Sequence, residues 1–302
     1  MTFLAVFLAL VLEQLRPLVA KPTLRLPALI GACATRWRTI GEPRMVWLAW
    51  FGVVLASVAL VCVGSAAFAW VGPVGTVLFD AVVVYLLLGL RAGGVAFSDI
   101  HLALGTGDNE RARELLRAWT GLDCARASSS EVARVAIEHS LVLAHRKGFG
   151  LVFWFVFLGP VGAVAYRVAG SLAHTQTAGA GAFRDFSQRA FALIDWLPVR
   201  LTGLFFSVIG NFEDAIYCWR SQSMLWPDKA SGILIASGAG ALGVRLGLPI
   251  HTSDGVVSRP EMGSGHKADT DHMQGAAELV WRVLLLWLLL IALFGLAGLV
   301  GR

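Results

Sequence analysis

Charge is what this chain has least of. Only 15% of its 302 residues are Asp, Glu, Lys or Arg, against roughly 25% in an ordinary soluble domain. No shift of composition along the chain sets apart a large soluble domain. Cysteine is scarcer still: Cys33, Cys62, Cys124 and Cys218 are the full set, and no two have the spacing of a zinc site or a redox pair. A P-loop, a nucleophile elbow and an HExxH helix are missing. So is an internal repeat of the kind that marks many transporters. The formal net charge of +5 comes without a basic-aromatic module, which excludes nucleic acid as a partner. The excess of Lys and Arg fits loops held against the anionic cytoplasmic leaflet instead.

What is abundant is apolar surface. Hydrophobic residues make up 57% of the chain, with 11 Trp and 33 Gly, a composition suited to interfacial aromatics and close helix contact in a bilayer. A span needs about 20 apolar residues to cross about 30 Å of hydrocarbon. Residues 2–17, 46–70, 74–90, 150–172 and 277–300 qualify, the first being short. Glu13, Gln14 and Arg16 follow the apolar start instead of a small-residue cleavage site, so this segment reads as a retained span. Residues 190–210 make a sixth, weaker candidate, interrupted by Asp195, Pro198 and Arg200, as in a broken or re-entrant helix. The expectation is an all-α, polytopic transmembrane bundle of five to six spans: a single membrane domain over residues 1–302.

Basic residues orient it. Arg16, Lys21, Arg25, Arg36, Arg38 and Arg44 follow the first span, and Arg91 through Lys147 include eight more after the third. The positive-inside rule puts both stretches in the cytoplasm of a bacterial-type inner membrane. Residues 92–147 then form a cytoplasmic helical insertion and residues 211–276 a cytoplasmic loop region, polar and Gly/Ser-rich over 251–270. Within the insertion, Asp108 is placed to cap a helix running to about Trp119, and Ser128 with Glu131 makes a capping-box pattern for a helix ending near Gly148.

Ionisable groups in apolar surroundings are expensive and so mark candidate sites. Glu13 lies near the end of a short span, from which it is expected to reach the interface. Asp80 sits among Leu78, Phe79 and a Val run, and structural and functional roles are both open for it. Glu138 and His145 are seven residues apart, two helical turns, and so share a face. They could move a proton or grip a phosphate; the plainer reading is a solvated face with a weak ion pair. His174, His251, His266 and His272 fall in polar loops. In Asp195-Trp196-Leu197-Pro198-Val199-Arg200-Leu201, a helix-breaking proline brings opposite charges to a kink. Either a structural ion pair or an anion-binding arginine follows.

Four segments together resemble the CobD/CbiB superfamily, which includes adenosylcobinamide-phosphate synthase and the AmpE-type signalling proteins. They are Arg113-x-x-Leu116 … Gly121-Leu122-Asp123 … Glu131-Val132-x-Arg134-x-x-Ile137-Glu138, then Trp196 to Leu201, then Gly240-Ala241-Leu242-Gly243-Val244-Arg245-Leu246-Gly247, and Arg259-Pro260-Glu261-Met262-Gly263. The resemblance covers roughly residues 95–300. It implies a membrane enzyme of cobalamin biosynthesis that joins a corrinoid carboxyl to an amino-alcohol phosphate, with Mg2+ if active. On that basis Glu138 and Asp123 are the candidate catalytic residues, and Arg200, Arg245, Asp195, His145 and Arg146 the candidate binders of a corrinoid or phosphorylated small molecule.

The departures bear on catalysis. Where the family pattern carries Glu, Asn and an Asp-Gly pair after Glu138, this chain has Val142, Leu143, Arg146 and Lys147. Polar family positions further on correspond to Gly170 and Ala173, and acidic ones to Phe191 and Ala192. A Ser-Pro-Asn motif is reduced to Trp226-Pro227-Asp228. Groups suited to hold metal and phosphate are largely lost. A diverged synthase and an AmpE-like, non-enzymatic sensor or interaction protein both remain open.

Overall fold

A computed structural model describes residues 2–15, 43–174 and 181–300. Arg16, Lys21, Arg25, Arg36, Arg38 and Cys33 lie outside the described residues. In chain order the helices are α1 (Thr2–Leu15), α2 (Pro43–Ala69), α3 (Pro73–Leu87), α4 (Leu90–Gly105), α5 (Asn109–Thr120) and α6 (Ser129–Ala144). A π turn, His145–Phe149, separates α6 from α7 (Gly150–His174). Then come α8 (Ala182–Ile194), α9 (Trp196–Ile209), α10 (Phe212–Gln222), a 3-10 turn (Ser223–Leu225) and α11 (Lys229–Leu242). Five short strands follow, β1 (Val244–Gly247), β2 (Ile250–Thr252), β3 (Gly255–Val257), β4 (Glu261–Gly263) and β5 (His266–Lys267), before the closing helix α12 (Thr270–Val300).

Among the described residues, four helical stretches are long and apolar enough to cross a membrane: Val46–Ala69, Pro73–Gly105, Ser129–His174 and Thr270–Gly298. A fifth is reached if α8 and α9 count as one broken span, the break falling at Asp195 as the proline and charges there foretold. The polytopic helical bundle is therefore present. Of the expected first span, residues 2–17, the described part is α1, 14 residues or about 21 Å at 1.5 Å per residue.

The chain divides into two compact units, 1–88 with 150–196 and 290–302, and 89–149 with 197–289. In the first, α1 packs on α3, and α2 packs on α7 and α8. Outward Leu55, Leu60 and Val63 leave α2 widely exposed, as expected of a face that meets lipid. Pro73 opens α3 directly after Gly72, where its missing N–H costs nothing. Pro160 follows a non-helical Gly159 inside α7 and kinks it. Glu13 is 5% exposed, so protein encloses it and it does not extend to an interface. Asp80 is half-buried on α3.

The second unit is built around α6, buried without interruption from Glu131 to Glu138. Its capping box is formed as expected, with Ser128 N–H donating to Glu131 Oε2 at 2.6 Å and Glu131 N–H to Ser128 Oγ at 3.3 Å. Asp108 caps α5 by accepting from Arg111 N–H at 3.0 Å. Helices α4, α5 and α11 and strand β1 pack around α6. The region expected as loop over 211–276 is ordered by α10, α11 and the strands. β4, β1 and β5 form one small sheet, β1 antiparallel to β4 and parallel to β5, while β2 and β3 make a hairpin. The two-residue period of a strand turns Val244 and Leu246 inward and leaves Arg245 between them half-exposed. Gly247 ends β1 at φ 70°. A side chain there would collide with the Pro260 carbonyl oxygen, so both the backbone angle and the close approach require glycine.

Candidate functional site

Helix α6 carries Glu131, Arg134 and Glu138 at i, i+3 and i+7, one face of an otherwise apolar, buried helix. That face meets segment 247–253, which turns through left-handed Gly247 (φ 70°) and Leu248 (φ 57°) before strand β2. Glu138 Oε1 accepts from Gly247 N–H at 2.8 Å. Arg134 donates to the Pro249 carbonyl at 2.7 Å. Glu131 Oε1 meets His251 Nδ1 at 2.8 Å. From the loop before α6, Asp123 accepts from both the N–H of Ser253, at 2.9 Å, and its hydroxyl. The order is antiparallel, with 123, 131, 134 and 138 opposite 253, 251, 249 and 247.

Arg259 completes the cluster. Its guanidinium is paired with the second oxygen of Glu138, donates to the Gly247 carbonyl at 3.2 Å, and stands 5.1 Å from the Trp226 ring centroid. Both Glu138 oxygens are thereby engaged, and the residue is 5% exposed. Arg245 reaches Glu261 across β1 and β4 at 3.2 Å. The hydrogen bonds from the Ser253 hydroxyl and N–H hold the Asp123 carboxyl below the usual range. Burial pushes the neighbouring Cys124 thiol up to about 11.

The other expected site residues lie elsewhere. His145 opens the π turn and shares a hydrogen bond with Thr202 at 2.9 Å, so it and Glu138 have different partners. Arg146 donates to Asp228 at 2.8 Å and to Ser231 at 3.3 Å; Asp228 is the N-cap of α11. Asp195 belongs to the first unit, where it is buried and accepts from the Tyr166 hydroxyl at 2.9 Å. Arg200 belongs to the second unit, half-buried on α9. Arg134, Arg259, His251 and Trp226 were not expected at the site. The legible signal was the polar face of α6, and Arg259 stood in a quoted motif, but nothing in the spacing ties it to a helix 121 residues away.

Two of the altered positions touch each other. The Phe191 ring is buried, 5.3 Å from that of Tyr166 and 5.4 Å from that of His174. A Cβ placed on Gly170 would approach the same Phe191 ring to 3.1 Å. Aromatic packing in the first unit thus fills the place for which the resemblance implied polar groups.

The residues present do not suit a divalent cation. Such an ion takes about six oxygen ligands, both oxygens of Glu138 are committed, and among the described residues no three His, Cys, Asp or Glu are grouped to hold a metal.

Comparison with known proteins agrees with the segments noted in the sequence. The cobalamin biosynthesis protein CobD of Stutzerimonas stutzeri is 33% identical over 221 residues, 72% of this chain and 73% of its own. That of Chromobacterium violaceum is 31% identical over 218 residues, 71% and 70% of the two chains. That of Brucella anthropi is 27% identical over 273 residues, 84% and 81%. No solved structure matches. The family model described as CobD/Cbib protein matches residues 2–280, and with nearly the whole chain covered, this protein belongs to the CobD/Cbib family.

Proposed function

We propose that this chain serves cobalamin biosynthesis as a multi-pass protein of the inner membrane that binds a corrinoid or phosphorylated intermediate through its second unit. In this reading residues 92–147 and 211–276 face the cytoplasm, and the protein is not an efficient adenosylcobinamide-phosphate synthase. The observation that carries the reading is Glu138. A general base needs a lone pair facing its substrate, and a metal ligand needs one facing the ion. Here Gly247 N–H and Arg259 each hold one of its oxygens, and the residue is buried at 5% exposure, so it presents no open face to a substrate. Arg146, which could have neutralised a phosphate, is paired with Asp228.

The test is complementation. Expressed in a strain that lacks the synthase, the wild-type chain is expected not to restore growth that depends on corrinoid completion, while the purified protein in detergent retains added cobinamide. Full restoration by wild type, abolished in Glu138→Ala and Arg146→Ala proteins that still reach the membrane, would overturn this reading in favour of a working synthase. Failure both to complement and to retain cobinamide would leave the AmpE-like role, supported by the aromatic packing of Phe191 on Tyr166.

A further inference from the structure

Between Gly247 and Pro260 the chain runs out and back as the β2–β3 hairpin, and it is held in two different ways. Its base is clasped. Leu248 N–H donates to the Pro260 carbonyl at 3.2 Å, and Arg259 donates to the Gly247 carbonyl at 3.2 Å. Glu138 holds Gly247 N–H with one oxygen and Arg259 with the other, so a single side chain of α6 grips both feet. The rest of the hairpin is fastened lightly. β2 and β3 pair with each other and with no strand of the β4–β1–β5 sheet. Ile250 is its one buried side chain, and residues 253–258 are all exposed, Val256 and Val257 included. Three polar attachments join it to α6 and the loop before α6: the Pro249 carbonyl on Arg134, His251 on Glu131, and Ser253 on Asp123. An element with little buried apolar surface, held by hydrogen bonds at the edge of solvent, lies at the low end of local stability. What it covers is closed off. Glu131 and Arg134 are buried. Cys124, beside Asp123 and near enough to Glu131 and Arg259 to feel both charges, is 1% exposed.

We infer that residues 249–258 form a lid that swings as a unit from the face of α6, pivoting at Leu248 and Ser258 just outside the base clasped by Glu138, and that it controls access to Asp123, Cys124, Glu131 and Arg134. Hinges are a few residues at the ends of an element that absorb the change of backbone angle. Leu248 is placed to be one: among the described residues it is the one non-glycine with a left-handed φ, 57°, a conformation that a side chain resists. Swinging the lid breaks the three polar attachments and uncovers Ile250, while the cross-strand bonds of β2 and β3 travel with it. Glu138 keeps both of its partners in either position, which makes it the fixed part of the device. The lid goes beyond the functional reading above and does not depend on it, since it can open in a chain that binds no corrinoid.

The experiment uses the full chain purified in a neutral detergent, with N-ethylmaleimide as probe and peptide mass spectrometry to read the alkylation rate of each cysteine. When reclosing is fast, the rate at Cys124 follows the population of the open lid. Cys218, fully buried on α10, is the internal reference for opening of the rest of the unit. Ser253→Ala, which removes the hydroxyl bond to Asp123, should speed Cys124 roughly tenfold, the worth of a hydrogen bond to a charged group. Ser253→Thr keeps a hydroxyl and should react as wild type does. Ile250→Ala, which touches the lid and not the loop of Cys124, should speed it by roughly tenfold or more. His251→Ala, removing a half-exposed pair, should speed it about threefold. Val256→Ser, at the exposed tip, is the control and should change nothing. The rate at Cys218 should stay constant throughout. Acceleration by Ser253→Ala with none by Ile250→Ala would mean that the loop of Cys124 moves and the hairpin does not, and would overturn the inference. So would Cys218 accelerating in step with Cys124, since the unit would then open as a whole, and so would a Cys124 rate that no hairpin variant alters. None of these rates depends on complementation or on cobinamide retention, so the lid and the functional reading can fail separately.

Discussion

Replacing Gly247 by Ala perturbs the site without touching any of its side chains. Two costs follow. Holding a residue with a Cβ at φ 70° costs about 1–2 kcal/mol. The new Cβ also meets the Pro260 carbonyl oxygen, backbone against backbone, so the two segments must separate. Separation strains the Leu248 N–H to Pro260 bond, 3.2 Å long, and the Gly247 N–H to Glu138 bond, 2.8 Å long. A hydrogen bond to a charged group is worth about 1.5–3 kcal/mol. The total is roughly 3–5 kcal/mol. Gly121 is the matched control, with φ 74° and nothing within 4 Å of an added Cβ, so Gly121→Ala should cost only the first amount. Thermal unfolding in mild detergent, followed by tryptophan fluorescence, should place the Gly247→Ala midpoint about 5–10 °C below that of Gly121→Ala. Equal midpoints would refute the close approach at Pro260 as a constraint.

Two further outcomes are expected. Because hydrogen bonds from Ser253 depress the Asp123 pKa, its contribution to stability is complete above the ordinary carboxylate value and is lost as pH falls through the folded-state value, below about pH 4; the acid-unfolding curve of Ser253→Ala should therefore shift to higher pH, and an unshifted curve counts against the contact. For orientation, the buried, high-pKa thiol of Cys124 is a poor reporter on either side of a membrane, so Arg126→Cys, at an exposed position of the same loop, should escape an impermeant external maleimide in intact cells and react after lysis, whereas strong labelling in intact cells would invert the proposed topology.

The hydrophobic runs, the caps at Asp108 and Ser128 and the break near Pro198 were legible because each is a local signal, written within a few residues. The site was only half legible. The spacing of Glu131, Arg134 and Glu138 gives their common face, but a helix face does not name what it meets. Segment 244–267 carries strands of four residues or fewer, too short for alternation to distinguish them from loop. The pairing of Glu138 with Arg259 is a tertiary fact with no local trace. His145 departs from the expected pairing because its ring meets Thr202 on α9 while Glu138 is held by Gly247 and Arg259, tertiary partners that a shared helix face does not name.

The antiparallel match between α6 and residues 247–253 also limits how this protein can vary in length. The groups that meet α6 and the loop before it come from residues 247, 249, 251 and 253, each held to its own partner. Deleting or inserting one residue between Gly247 and Ser253 would carry every group on one side of the lesion past its partner. Loops ordinarily absorb such indels at little cost. This one is measured against a helix, and its length is fixed as firmly as that of a strand inside a sheet.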